Sequence, residues 1–290
     1  MPAASECEGC VRQVDARHSG EDLNVQIHRL VQGIPCWFEL ASKDPEASAA
    51  FHAAAFGWSR SSMDLGAMGA YHFFRNATGT VAAMRQLSAE ESASGVPPAW
   101  TIYFAVTDLD RVAAQVPELG GRTLMGPHEI PGQGRMLVIA DPTGATCCLW
   151  QPAAGASGDF TMMEPDAIGW VELATRDSGA AGAFYRELLG WTWQRSDLPG
   201  PVPYDEIVIE GTRYGGMMQM TAEWGELSSH WSVYLVVTDL DATLSRCTAH
   251  GGTVCVPAFD CPGVGRIARI DEPGGAGAYL IQLEAHGAAA

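Results

Sequence analysis

WFELASKDPEASAAFHAAAFGW, residues 37–58, returns as WVELATRDSGAAGAFYRELLGW at residues 170–191. Trp37/Trp170, Glu39/Glu172, Leu40/Leu173, Asp44/Asp177, Phe51/Phe184, Gly57/Gly190 and Trp58/Trp191 are all displaced by the same 133 positions. An unbroken displacement over so many residues marks a tandem duplication. In the first copy, Ile34–Ala41 reads as a strand. Asp44 then caps a helix with Pro45 at its first position. Ala47, Ala50, Phe51, Ala54 and Ala55 follow at helical spacing, and Gly57 ends the run.

Working outward, strands are predicted at Tyr71–Arg75 and Thr80–Leu87 around an Asn/Gly turn, and Glu90–Pro98 is a loop by composition. AWTIYFAVTDLD (99–110) then matches HWSVYLVVTDLD (230–241) at a displacement of 131. It opens a second strand–helix pair, with the helix Leu109–Leu119 closed by Gly120-Gly121. Strands follow at Arg122–Leu124, Met136–Ala140 and Thr146–Gln151. PGQGR (131–135) pairs with PGVGR (262–266), and DPTGA (141–145) with EPGGA (272–276). The chain therefore carries four βαβββ modules, an α+β organisation. The expected boundaries are a leader at 1–28, one domain at 29–151, a linker at 152–166 and a second domain at 167–286.

Composition narrows the function classes. The 290 residues carry a formal net charge of −17, and Lys43 is the only lysine. That balance argues against nucleic acid or an anionic membrane surface as partner. No apolar run approaches the ~20 residues of a membrane helix. The N-terminus lacks the apolar core of a secretory signal, so a cytoplasmic protein is expected. The eight cysteines do not make a disulfide scaffold in a chain of this length. Cys7 and Cys10 form a C-x-x-C with His18 downstream, but no second pair lies nearby to complete a zinc site.

Paired βαβββ modules, the A-F-Y-x-x-x-L-G-W helix end (183–191), V-x-D-L-D and D-P-x-G before the last strand resemble the vicinal oxygen chelate superfamily. That group includes glyoxalase I, extradiol dioxygenases and bleomycin-resistance proteins; the tandem proteins of actinomycetes, several of which accompany aromatic polyketide biosynthesis, look most similar. The resemblance implies two glyoxalase-like domains, each with two modules curving into a cup. In metal-using members four ligands (His or Gln, Glu, His, Glu) hold a divalent ion there. The matching positions carry Trp37 and Trp170, Thr101 and Ser232, Cys148 and Tyr279, and residues near Met84 or Gln86 and Met217 or Gln219. No such quartet survives, so neither a metal nor another cofactor is expected.

By the two-residue strand period, Trp37, Met84, Gln86, Tyr103, Cys148 and Trp150 are expected to line one cup. Trp170, Met217, Gln219, Tyr234 and Tyr279 are expected to line the other. Such walls suit a flat, apolar or aromatic ligand; the plainer reading is a filled core. Glu39 and Glu172 sit two residues after the tryptophans. Desolvated there, a carboxylate becomes a general acid or base; alternatively it is structural, bonded to an arginine. His72, His128 and His230, each replaced in the other copy, are the remaining candidates for proton transfer. His52 is expected on the helix outside the cup. Arg135 and Arg266 follow the shared P-G-x-G and could reach a carboxylate or phenolate on a ligand; their repetition makes a fold-holding salt bridge the better reading.

The reading that results is a metal-independent tailoring enzyme for an aromatic or polyketide-derived small molecule, working by proton transfer in a cyclisation, an isomerisation or assistance to a hydroxylation. One alternative is a non-catalytic binder of the bleomycin-resistance type. Another is a metal-dependent enzyme with atypical ligands. A homodimer is left open.

Overall fold

The computed structural model describes residues 25–26, 30–66, 69–154, 160–197 and 202–284. Apart from the short strand β1 (Val25–Gln26), the expected leader with Cys7, Cys10 and His18 lies outside the described residues. The first domain is β2 (Pro35–Ser42), α1 (Pro45–Phe56), β3 (Ser59–Asp64), β4 (Ala70–Arg75) and β5 (Thr80–Gln86). After a short helix α2 (Ala89–Ala93) come β6 (Ala99–Ala105), α3 (Leu109–Glu118), β7 (Arg122–Ile130), β8 (Gly134–Ala140) and β9 (Thr146–Pro152). A two-residue strand β10 (Thr161–Met162) precedes the second domain. That domain holds β11 (Ile168–Thr175), α4 (Ser178–Leu189), β12 (Thr192–Arg195), β13 (Tyr204–Ile209), β14 (Thr212–Gln219), β15 (His230–Val236), α5 (Leu240–Ala249), β16 (Thr253–Cys261), β17 (Gly265–Asp271) and β18 (Gly277–Leu283).

The βαβββ unit thus recurs four times. Two units make each eight-stranded sheet, ordered β3-β4-β5-β2-β6-β9-β8-β7 and β12-β13-β14-β11-β15-β18-β17-β16. Capping explains the repeated helix starts: Asp44, Asp108, Asp177 and Asp239 each accept a backbone N–H from the residue three positions on. Gly57 and Gly190 end α1 and α4 at φ of 71° and 77°, where a side chain would be strained.

Four features differ from the sequence reading, the first being helix α2, which occupies the start of the expected Glu90–Pro98 loop and is capped by Ser88. Strands β3 and β12 follow α1 and α4 directly; all six residues of β3, SRSSMD, are exposed, so no apolar alternation announced it. Strand β7, expected to end at Leu124, runs on to Ile130 and places the GPHEI stretch in the sheet edge. Within the expected linker, β10 pairs antiparallel with β1, and Phe160 packs against Trp37 and Phe38 with ring centroids 5.5 and 5.4 Å apart. Among the described residues no helix is long and apolar enough to cross a membrane.

The two sheets turn their helix-bearing faces toward each other and bury one common core. Helix α1 packs on α5 and α3 on α4. The contacts are reciprocal. Trp58 Nε1 donates to the Asp166 carbonyl at 2.7 Å, and Trp191 Nε1 to the Gly33 carbonyl at 2.9 Å. Phe51 lies so close to Gly252, and Phe184 to Gly121, that a Cβ on either glycine would come within 2.7 Å of a ring carbon. His52 stacks on Trp58 at 5.1 Å, as Tyr185 stacks on Trp191 at 4.8 Å. His52 is therefore part of the shared core; burial pushes its pKa down.

Because this core belongs to both halves, Phe184→Ala is expected to cost about 3–5 kcal/mol, in the range for a buried aromatic, and to shift one denaturation transition common to both domains. Two transitions, one indifferent to the substitution, would contradict a shared core.

Candidate functional site

Strand register decides which side chains reach the helix-free face. On β2, Trp37, Glu39 and Ala41 point there, while Phe38 and Leu40 enter the shared core. Tyr103 stands opposite Trp37, Cys148 beside Tyr103, and Trp150 beside Ala105. Trp170, Glu172, Tyr234 and Tyr279 occupy the same places in the second sheet.

Met84, Gln86, Met217 and Gln219 do not lie on this face. Met84 is level with Leu40 and Met217 with Leu173, on the helix-bearing side. Gln86 is level with Ser42. Gln219 likewise turns to α4, where its Oε1 accepts the Ser178 N–H at 2.9 Å. Expected positions one residue out of phase put every side chain on the wrong face. The residues actually turned inward are Arg85 and Met218.

Each helix-free face centres on a carboxylate gripped by phenols. In domain 1 the Tyr71 hydroxyl donates to Glu39 Oε2 at 2.8 Å, and the Tyr103 hydroxyl donates to the same oxygen at 3.2 Å. Trp37 Nε1 donates to the Tyr71 oxygen at 3.1 Å, so a chain of hydrogen bonds runs from indole to carboxylate. In domain 2, Tyr204 and Tyr234 donate to Glu172 at 3.1 and 2.9 Å, and Trp170 Nε1 to Tyr204 at 2.8 Å. Burial, followed by the neighbouring carboxylate, holds Tyr71 and Tyr204 well above the ordinary phenol range, so both stay protonated donors. Tyr71 and Tyr204 share the 133-residue displacement, the signal by which sequence reading could have found them.

The two clusters differ in charge and in packing. Arg85 Nε donates to Glu39 Oε1 at 3.0 Å, whereas Met218 occupies the equivalent place beside Glu172. The inner face of domain 2 is a closed apolar core: Trp170, Tyr204, Met218, Tyr234, Tyr279 and Ile281 pack with Cys261, Val264 and Ile267 from the far end of the sheet. Tyr279 stacks on Tyr234 at 4.6 Å and 13°. In domain 1 Cys148 stands where Tyr279 stands, Ala105 in place of Val236 and Gln133 in place of Val264. Trp37, Tyr71, Phe73, Met136 and Trp150 remain half-buried there. At the two edges of that sheet, Met63 and Met125 are 50% and 48% exposed. Smaller residues thus stand in domain 1 where domain 2 packs Tyr279 and Val236, and a polar one where it packs Val264.

The histidines do not join these clusters by any hydrogen bond among the described residues. His72 is level with Met84 and turns from the inner face, its Nδ1 2.7 Å from Ser62 Oγ; burial and then Arg60 depress its pKa. His128 is exposed on edge strand β7, opposite Met136, at the rim of domain 1. His230 opens β15 on the inner face of domain 2, with Nδ1 2.8 Å from the Ser228 carbonyl, and burial lowers its pKa. Arg135 and Arg266 make matching bidentate pairs with Asp110 and Asp241.

The positions to which the family resemblance assigns metal ligands carry indole, hydroxyl, thiol and phenol groups, and Glu39 already accepts from three protein donors. Burial also holds the Cys148 thiol well above the ordinary thiol range. Among the described residues no three His, Cys, Asp or Glu side chains come together as a metal site. This donor set does not fit a divalent cation.

Among the described residues no cation pairs with Glu172, and burial pushes its pKa up to about 7, against the pull of its two tyrosine hydrogen bonds. The folded chain therefore keeps a proton that the unfolded chain loses above about pH 4.5. Stability should fall by about 3 kcal/mol as pH rises from about 4.5 to 7, then level off. Urea denaturation of the wild type and Glu172→Gln across this range checks it. The variant is expected to lack that slope, and parallel curves would overturn the assignment.

Comparison with known proteins accords with the geometry. The profile of the glyoxalase-like domain matches residues 37–150 and 170–269. Anthracycline biosynthesis protein DauV of Streptomyces sp. (strain C5) is 35% identical over 277 residues, covering 90% of this chain and 98% of its own. Anthracycline biosynthesis protein DnrV of Streptomyces peucetius is 35% identical over 269 residues, covering 88% and 95%. Among solved structures, the Mn(II)-bound glyoxalase of Novosphingobium aromaticivorans superposes with a TM-score of 0.60 at 16% identity, over 88% of this chain and 84% of its own. With both halves matched and the four modules in order, the chain belongs to the glyoxalase-like domain family of the vicinal oxygen chelate superfamily.

Proposed function

We propose that the chain is a metal-independent cytoplasmic tailoring enzyme for an aromatic, polyketide-derived molecule, and that the inner face of domain 1 is its site. The observation that carries this reading is a half-open aromatic wall of Trp37, Tyr71, Phe73 and Trp150 around a carboxylate held by two phenols. A fused-ring guest matches such a wall in shape and stacks on it, each aromatic pair adding about 0.5–1.5 kcal/mol. The two relatives named for anthracycline biosynthesis support the same class of guest, since an anthracycline is a fused-ring aromatic polyketide.

The chemistry proposed is proton transfer. Glu39 is the proton acceptor, and Tyr71 is a protonated donor hydrogen-bonded to it. A second reading, binding without turnover, is favoured by one observation: Glu39 is already engaged by Tyr71, Tyr103 and Arg85.

Two measurements test the proposal. A hydroxyanthraquinone bearing an enolisable ketone should quench tryptophan fluorescence on binding. Trp37→Ala should weaken that binding about tenfold or more, while Trp170→Ala lowers stability and leaves the affinity of the folded fraction unchanged. Solvent deuterium should enter the ketone's α-carbon faster with the wild-type protein. Glu39→Gln should slow this by about 10²–10⁴ with little change in affinity. Binding with no accelerated exchange in the wild type would establish the binder instead.

A further inference from the structure

Arg85 is the residue on which the two inner faces differ most in chemistry. It reaches the face from β5, and its twin in the closed domain is Met218. Its Nε is fixed on Glu39, but its two terminal nitrogens hold Glu91 Oε2 and Oε1 at 2.8 and 2.7 Å, a bidentate pair. Glu91 comes from α2, a five-residue helix with no buried side chain. Both partners of the pair are accessible, at 33% and 31% exposure. An ion pair so exposed contributes little net stability, because water and salt screen it. The outer fork of Arg85 is thus a guanidinium edge at which another two-oxygen anion can displace Glu91, whose carboxylate then keeps its capping bond from the Ser88 N–H and turns to water.

We infer that Arg85 is a specificity-determining residue: its outer fork takes a paired-oxygen anionic group of the ligand, a carboxylate or an equivalent ionised acid, in place of Glu91. The flat body of the ligand lies against the aromatic wall, and its acidic group sits beside the Glu39 cluster. Nε keeps its bond to Glu39 throughout, so exchange of the outer partner leaves the carboxylate in position. Guanidinium suits this task because its planar fork matches two oxygens at once. The inference rests on domain 1 being the ligand site.

The test uses the full chain and two probes with one aromatic body, anthraquinone-2-carboxylate and anthraquinone-2-carboxamide, titrated by fluorescence quenching at one salt concentration. The wild type should prefer the carboxylate by about tenfold or more. Arg85→Met, which installs the residue of the closed domain, should bring the two affinities within about twofold of each other, and loss of packing alone would not erase a preference for charge. Glu91→Gln leaves Arg85 in place and removes its competitor, so it should raise carboxylate affinity about threefold or more while leaving the carboxamide unchanged. Equal affinities in the wild type, a preference surviving in Arg85→Met, or no gain in Glu91→Gln would each overturn the role of Arg85. Failure of both probes to bind the wild type would overturn the domain 1 site itself.

Discussion

The helix-bearing faces of the two sheets bury against each other, and the rest of the architecture is constrained by that one contact. Once Phe51, Phe184, Trp58, Trp191 and Tyr185 are committed to a common core, both helix-free faces must point outward. A sheet face without helices has two ways of managing its apolar surface: curl on itself until the side chains meet, or remain open and hold something else. Domain 2 does the first; the aromatic wall of domain 1 stays half-buried. The difference is made by a few volumes, with Tyr279 against Cys148 and Val236 against Ala105, rather than by a change of topology.

The two glutamates show how an identical residue in an identical place acquires different electrostatics. Each sits two residues past a tryptophan on the central strand and accepts from the same pair of tyrosines. Glu39 has a guanidinium within hydrogen-bonding distance, whereas the position equivalent to that arginine is Met218 in the sheet of Glu172. Desolvation then dominates at Glu172 and pushes its proton affinity up, since two phenol hydrogen bonds recover only part of what water supplied. The tyrosines serve both carboxylates as neutral donors, which is why they persist in the sealed copy as well as in the open one.

Much of this was legible in the sequence because it depends on local signals. The Asp44 and Asp177 caps, the Gly57 and Gly190 stops and the 133-residue displacement fixed the module order. The inner faces of the central and last strands also followed from their period, as Trp37, Tyr103, Cys148 and Trp150 illustrate. What failed was the phase of β5 and β14. Their runs TVAAMRQ and TRYGGMMQ are buried on both faces, so alternation gives no direction and does not separate Met84 from Arg85. Tyr71 carries no mark of proton chemistry in the sequence beside its neighbour His72, whose imidazole titrates near neutral pH when exposed. Which copy is open was not legible at all, since it depends on packing between opposite ends of a sheet.

The reciprocal bonds from Trp58 to Asp166 and from Trp191 to Gly33 are the signature of a two-fold axis, of the kind that relates identical subunits in a homodimer. Joining such subunits into one polypeptide lifts the requirement that their sites be alike. A gene encoding a symmetric pair must change both sites with every mutation, whereas the fused gene can alter one and spare the other. The chain therefore has the freedom of a heterodimer at the genetic cost of a single locus: one half can drift toward a solid scaffold while its sibling specialises, and their mutual orientation is preserved throughout.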